Sequence, residues 1–513
     1  MRPAPQPPHS QHSAPAPGPS FAPVPGPSPT PGPTPSSAPV PAPSPTPGPT
    51  PSSAPVPGPS PTPGPAPSTA SPTVVVIGAG AIGLSVAYHL TQLGVRDVTV
   101  IERAHPASGS SGRSVGVIET QYLTPLDVEL RAWSAHAFHR LEREHELRVT
   151  RNGYLRIGHT ASDAEAFEHS VALQRAHGVH DSLVLGPREI AERFPDVRSD
   201  DISAGLYGPG DGFIDGHRYC TLLAELAQAG GAKLLRDTSL LEHTPPAKHT
   251  QLPEHTPPAK HTQLPEHAPP AKHTQLLEHT PPAKRVPQLE HSTTGGGAHV
   301  LHTARGALRC DVVVNAAGAW AQAVGELLGV NTPITPQRHE VRAIHLPRVL
   351  GYMMPEVMDY SPSSGAHGLY FRHDSHDRLL GGLHSEELVT ATADPDDYFE
   401  GVRPEPLTTL SELLAHRLPT LADARIGAGW AGLYPVSPDG LPQVGPCPED
   451  PTVLAACGAG GYGIQVSPIV GRLVAEWVAF GAPTSAACAR DLLPARLSVR
   501  AAPAATHQTN SSR

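Results

Sequence analysis

Apolar residues run unbroken from Val74 to Ile77, glycines follow at three spaced positions, and a mostly apolar stretch continues to about Gln92. A short β-branched run without alternation predicts a strand covered on both faces, as in a parallel sheet. The stretch after the glycines predicts a helix. DVTVIE, Asp97–Glu102, predicts a second strand, and Val312–Val314 and Val453–Cys457 predict two more. Ser467–Ala479 has the spacing of an amphipathic helix. GLYFRHD, Gly368–Asp374, predicts a strand whose alternation puts Tyr370 and Arg372 on one face.

Two stretches lack such a pattern. Before Pro72, three near-copies of the 16-residue unit PVPGPSPTPGPTPSSA begin at Pro23, Pro39 and Pro55. With almost no long apolar side chains this segment cannot offset the entropy of ordering, and it reads as a disordered, partly polyproline II tail over residues 1–72. The 12-residue unit EHTPPAKHTQLP begins at Glu242 and recurs at Glu254, Glu266 and Glu278. Its Pro-Pro pairs block helix and sheet, so residues 242–291 read as an expanded surface loop. Its histidines lack cysteine or carboxylate partners at compact spacing, and no metal is expected there. What remains, roughly 370 residues, is ample for two domains.

Other composition narrows the class. No apolar run is long enough to span a bilayer, and the N-terminus has no charged-then-apolar leader pattern. The five cysteines have no CxxC spacing, so neither a disulfide framework nor a zinc site is expected, and a reducing cytoplasm is the default. A net charge of −10 leaves no basic footprint for nucleic acid.

Chemistry concentrates around the glycines. Gly78, Gly80 and Gly83, with Ala81 and Ile82 between them, occupy the G-x-G-x-x-G positions between a strand and a helix. They permit a tight turn, the approach of a pyrophosphate and close helix–strand packing. The helix N-terminus favours phosphate, and Glu102, 19 positions after Gly83, is placed for ribose hydroxyls. Arg103 follows it. Three later features favour a flavin over a nicotinamide. GSSGRSVG offers Ser110, Ser111, Arg113, Ser114 and Gly116 to a long cofactor. NAAGAW offers Ala317, Gly318 and Trp320 after a strand. Near the C-terminus, GAGGYGI brings Gly458, Gly460, Gly461, Tyr462, Gly463 and Ile464 to a second helix start, able to stabilise negative charge on a reduced flavin.

Together VVVIGAGAIG, IER, GSSGRSVG, VVNAAGAW, GLYFR, GLYPVSPDGLPQVG and GAGGYGIQVSPIVGRLVAE resemble the D-amino-acid oxidase superfamily of FAD-dependent oxidoreductases. The wording is most similar to the branch with glycine oxidase, sarcosine oxidase and dimethylglycine dehydrogenase. The resemblance implies an α/β fold: a Rossmann-type FAD-binding domain interleaved with an α+β substrate domain on a large mixed or antiparallel sheet. The FAD-binding parts are placed at 73–149, 213–331 and 427–493, the substrate domain at 150–212 and 332–426, and a flexible tail at 494–513. The repeats then fall in a hairpin between a strand near Lys233–Leu241 and the strand His299–Thr303.

The implied activity is oxidation of a carbon–nitrogen bond in an amino acid or N-methylated amine, with hydride passing to flavin N5 and then to oxygen or a protein acceptor. Tyr370 is the family's pocket tyrosine carried over, Arg372 beside it is a candidate carboxylate partner, and Arg338 and His339 are candidates near the ring. This chain also departs from the branch. Glycine oxidase has arginines at the positions of Tyr434 and Gly461; monomeric sarcosine oxidase has a lysine at Gln465 and a flavin-linking cysteine at Gly432. The carboxylate clamp is thus missing or relocated, and noncovalent FAD is expected. GLYFR and GWAGLY also resemble superfamily members that serve as assembly factors for respiratory complexes, the alternative in which FAD is structural.

Overall fold

The computed structural model describes residues 71–246, 298–360, 367–384 and 392–498. Nearly all of the proline-rich segment, most of the repeats and residues 499–513 lie outside these.

Thr73–Ile77 takes a central place in a six-stranded sheet. The order is Gln443–Pro446, Val453–Cys457, Val312–Asn315, Thr73–Ile77, Asp97–Ile101, Lys233–Leu235. All neighbours run parallel except Gln443–Pro446, which is antiparallel to Val453–Cys457. Val74 and Val76 join one core, with the helices Ala81–Gln92 and Gly463–Phe480; Val75 and Ile77 join another on the opposite face, with Leu301, Val313 and Val453. That double burial is why the run admits no polar side chain.

The last long helix differs from expectation. It begins at Gly463, not Ser467, and nearly every residue to Val478 is buried, so it is not amphipathic. Wedged against the sheet and the helices Ala81–Gln92 and Pro125–His145, it has little solvent-facing side. Pro468 lies inside it, and Ser467 Oγ donates to Ile464 O at 2.8 Å, pairing the carbonyl that the missing N–H of Pro468 leaves open.

The second sheet has eight strands, in the order Arg425–Val436, Thr335–His345, Arg378–His384, Gly368–Ser375, Glu356–Asp359, Tyr154–Gly158, Ala204–Gly208, Leu183–Leu185. Only Tyr154–Gly158 and Glu356–Asp359 pair in parallel. Leu155, Ile157, Val357, Leu369, Phe371 and Leu379 fill the core behind it. The alternate positions Tyr154, Glu356, Met358 and Tyr370 line a cleft on the other side.

Three boundaries are corrected. Arg425–Val436 pairs with Thr335–His345 and so belongs to this second sheet, whereas the sequence pattern places residues from 427 in the FAD-binding part. The span 233–241 is two strands: Lys233–Leu235 extends the parallel sheet, while Leu240–Thr244 pairs antiparallel with His299–Thr303 and carries the repeats' hairpin. Residues 494–498 are docked rather than loose, because Arg496 donates to Asp439 Oδ2 (2.8 Å) and Oδ1 (3.0 Å) and to Leu441 O (2.8 Å). Among the described residues no helix is long and apolar enough to cross a membrane.

Candidate active site

Three parallel strands end side by side and release their loops at one edge of the sheet: Ile77 into Gly78, Ile101 into Glu102 and Asn315 into Ala316. Val453–Cys457 ends beside them in Gly458. The carboxyl ends of parallel strands are where such sheets bind ligands. Gly78 takes φ +108°, and a Cβ there would lie 2.5 Å from Ala316 O; a Cβ on Gly83 would lie 2.0 Å from Gly78 O. These two glycines therefore serve the turn and the packing. Gly80 faces outward, with Ser111 Oγ 3.3 Å from its virtual Cβ, and caps the helix without a side-chain hydrogen bond. Glu102 Oε2 accepts from Ala79 N–H and its Oε1 from Ala104 N–H, both at 2.9 Å, which fixes the carboxylate at the cleft wall. Arg103 stacks on Trp320 at 3.9 Å, and both donate to Asp396 Oδ1.

A single cleft of about 910 Å³ continues from this edge past Ser108–Ser111 to Gly432–Val436 and Gly458–Gln465. Its far end is aromatic and titratable. His339 stacks on Tyr434 with ring centroids 3.8 Å apart, and its Nε2 is buried without a partner. Burial, with His384 and Arg338 nearby, holds the His339 imidazole down to about 3, so it is neutral. Tyr370 Oη donates to Glu340 O at 3.1 Å, and burial pushes its hydroxyl well above the usual range. Burial likewise raises Tyr434 to about 12. The Tyr434 ring covers Gly461, where a Cβ would lie 2.4 Å from a ring carbon. The glycine at 461 is thus a consequence of the tyrosine at 434.

Most of the expected residues line this cleft: those of 78–82, 102–103 and 110–114, Ala317, Gly318, Trp320, His339, Tyr370 and those of 458–464. Gly83, Gly116, Arg338 and Arg372 lie off it. Gly116 has φ +72° and abuts Ile214 O. Arg338 falls on the opposite side of its strand from His339, donating to Phe399 O (2.7 Å), Glu340 Oε1 (2.6 Å) and Gly401 O. Arg372 shares a strand face with Tyr370, but its guanidinium lies 3.8 Å over the Phe213 ring and donates to Val115 O (3.0 Å) and His373 O (2.8 Å). Sequence reasoning missed Glu119, Tyr122, Tyr154, Glu356 and His384, all on the cleft wall. An acidic residue in the apolar strand neighbourhoods VIETQY and MPEVMDY was the available signal.

The pattern describing the FAD-dependent oxidoreductase (DAO) family matches residues 73–477, most of the chain. The chain belongs to this FAD-dependent oxidoreductase family. It is 28% identical to mitochondrial dimethylglycine dehydrogenase of Mus musculus over 426 residues, covering 80% of this chain and 42% of that protein. It is 27% identical to mitochondrial sarcosine dehydrogenase of Homo sapiens over 421 residues, covering 81% of this chain and 40% of that one. The chain thus spans less than half the length of these relatives. L-Proline dehydrogenase from P. horikoshii shares the fold, with a TM-score of 0.65 and 24% identity over 84% of this chain and 98% of its own.

FAD is the cofactor of the family, and the cleft fits it. The glycine turn leaves room for phosphate at Gly80; neither N-cap residue of Ala81–Gln92 and Gly463–Phe480 gives a side-chain hydrogen bond, and at the first helix Ser111 Oγ accepts from Ala81 N–H at 3.0 Å. Both helix starts open on one continuous groove whose volume lies at the upper end of the roughly 300–1,000 Å³ usual for small-molecule sites.

Proposed function

We propose that this chain oxidises the carbon–nitrogen bond of a small amine or amino acid, using noncovalently held FAD. The observation that carries this reading is the continuity of the cleft: a dinucleotide cradle on the parallel sheet opens into an aromatic pocket on the second sheet. When bound, FAD supplies the two-electron acceptor for the substrate C–H bond. The chain's own residues position and exclude. Gly80 and the helix start at Ala81 would admit the diphosphate, Glu102 the ribose, and the Gly463 helix start the electron-rich end of the ring system. Tyr370, Tyr434 and neutral His339 would wall the substrate from water. They offer no strong base, which suits a substrate entering as its free amine.

The resemblance to mitochondrial dehydrogenases supports the amine chemistry. A reducing, cytoplasmic setting agrees with the five buried, unpaired cysteines. Purified protein is expected to be yellow and to release its flavin on acid precipitation. It should then bleach without oxygen on addition of one of a panel of small amines, with and without carboxylates. A yellow protein unmoved by every amine would overturn the catalytic reading in favour of structural FAD.

A further inference from the structure

We infer that the pocket at the ring end of the cleft receives a cationic group of the substrate, where a carboxylate clamp would otherwise stand, with Glu356 and Glu119 as its counter-charges. The substrate class is then an amine carrying a second, positively charged nitrogen. This deepens the amine-oxidising reading and rests on it for the chemistry, though not for the binding.

Glu356 is 4% exposed, lines the cleft, and its Oε2 has no hydrogen-bond partner. A buried carboxyl oxygen left unpaired costs stability, so its retention calls for an explanation, and a ligand that donates to it is one. Glu119 is 5% exposed and lines the same cleft, where its Oε2 accepts from Gln121 N–H and Arg156 and Arg131 act on its charge, so it is the secondary of the two carboxyls. Around the two stand aromatic faces. Tyr154 is the register partner of Glu356, Tyr370 pairs across from Met358 one step along, and Tyr122 and Tyr434 close the wall. Tyrosine faces attract alkylammonium groups, and a buried carboxyl beside them supplies the counter-ion.

The cations that line the cleft are engaged elsewhere. The two arginines that line the cleft, Arg103 and Arg113, are paired with Asp396 and Glu400. Three guanidiniums lie behind the wall without lining it. Arg131 is held by Asp127 (2.7 Å) and Gln465 (3.0 Å) and lies 3.3 Å over the Tyr122 ring with its Nη2 unpaired, Arg156 gives its Nε–H to Gln121 O (2.8 Å), and Arg372 donates to Val115 O and His373 O. Burial holds the His339 imidazole down to about 3, and burial, with Arg156 nearby, lowers that of His384. An entering carboxylate would therefore meet no unpaired cation on the cleft lining, whereas an entering ammonium meets the open acceptor of Glu356. The charged groups that act on Glu356 are Arg372 and Glu119, and burial outweighs Arg372, pushing the acid up to about 8. Seating a cation draws the carboxyl toward ionisation, so binding strengthens with rising pH across that value.

The test uses the full-chain flavoprotein at constant ionic strength and two inert probes, tetramethylammonium and acetate, read by perturbation of the flavin absorbance and by melting temperature. Tetramethylammonium is expected to give a saturable shift, and acetate none. Glu356→Gln, with flavin content retained, should weaken tetramethylammonium binding at least about tenfold. If that variant fails to hold flavin, Glu119→Gln is read in its place. Binding of acetate with tetramethylammonium silent, silence of both, or undiminished cation binding in the variants overturns the assignment. An N-methylated diamine that bleaches the flavin more readily than N-methylglycine supports it, and the reverse order overturns it. Cation binding without bleaching by any amine sustains the pocket assignment while removing the oxidative reading, which separates the two.

Discussion

Gly78 and Gly80 stand two residues apart in one turn, yet the structure gives them opposite duties. Gly78 sits at φ +108° with Ala316 O where a methyl would go. Gly78→Ala is therefore a folding lesion, expected to cost roughly 2–4 kcal/mol from backbone strain and overpacking together, and to be read as a lower urea midpoint. Gly80 has conventional φ and faces the cleft. Gly80→Val should leave a folded, colourless protein, because its side chain fills the space beside Ser111 that the diphosphate needs. Normal flavin content in Gly80→Val would contradict this placement. Glu356 gives a second residue-scale expectation. Its acid is raised by burial from 4.5 to about 8, so the folded state holds the proton more tightly than the unfolded chain. Its contribution is fully present below pH 4.5 and is lost as pH rises toward 8, by up to about 1.4 kcal/mol per pH unit. Unfolding wild type and Glu356→Gln in urea from pH 6 to 9 should show the variant losing less; parallel curves would refute it. Such residues mark the limit of what the sequence discloses. The glycine turn was legible because its spacing reports backbone geometry within one short segment. The acid-and-tyrosine pocket draws on residues 119, 154, 356, 370 and 434, and no local pattern links them before the strands pair.

Among elements, the strands were the readily legible part, since a β-branched run buried on both faces leaves a distinctive pattern. The helix Gly463–Phe480 was harder. Burial on nearly all sides erases the period by which helices are recognised, and Pro468 lies inside the helix rather than ahead of it. Its placement depends on one close crossing. A Cβ on Gly471 would lie 2.3 Å from Ser85 Oγ and 2.6 Å from the Ser85 carbonyl carbon, in the middle of Ala81–Gln92. Backbone cannot swing aside as a side-chain tip can. Gly471→Ala should therefore push apart the two helices whose first turns face the cleft. The expected cost is about 1–3 kcal/mol, accompanied by weaker flavin retention. Dialysis followed by flavin quantification measures the second effect. A variant that is destabilised yet keeps its flavin fully would show that the helix starts are fixed by the strands alone.

On the scale of the whole molecule, the cleft is assembled from both ends of the folded body, while the repeats join a hairpin on a separate three-stranded sheet. That sheet pairs Leu240–Thr244 with His299–Thr303 and His299–Thr303 with Gly306–Cys310. The register Val300↔Thr244 fixes where the connection leaves and returns, independently of the units between. Each unit repeats its neighbour, so removing two whole units, Glu254–Leu277, preserves the sequence at both junctions. Loop closure depends only on the logarithm of length, and roughly halving the connection changes stability by about 0.6 kcal/mol, in the stabilising direction. The deletion variant should therefore match the full chain in flavin content, melt within a degree or two of it, and retain the same amine bleaching. A fall of several degrees, or loss of flavin, would mean that the repeats contact the body and that the hairpin is more than a tolerant point of expansion. The comparison is informative because the hairpin shares a core with Val75, Ile77 and Val313, the strands that carry the cofactor turn. Any disturbance passed through it would register first as altered flavin binding.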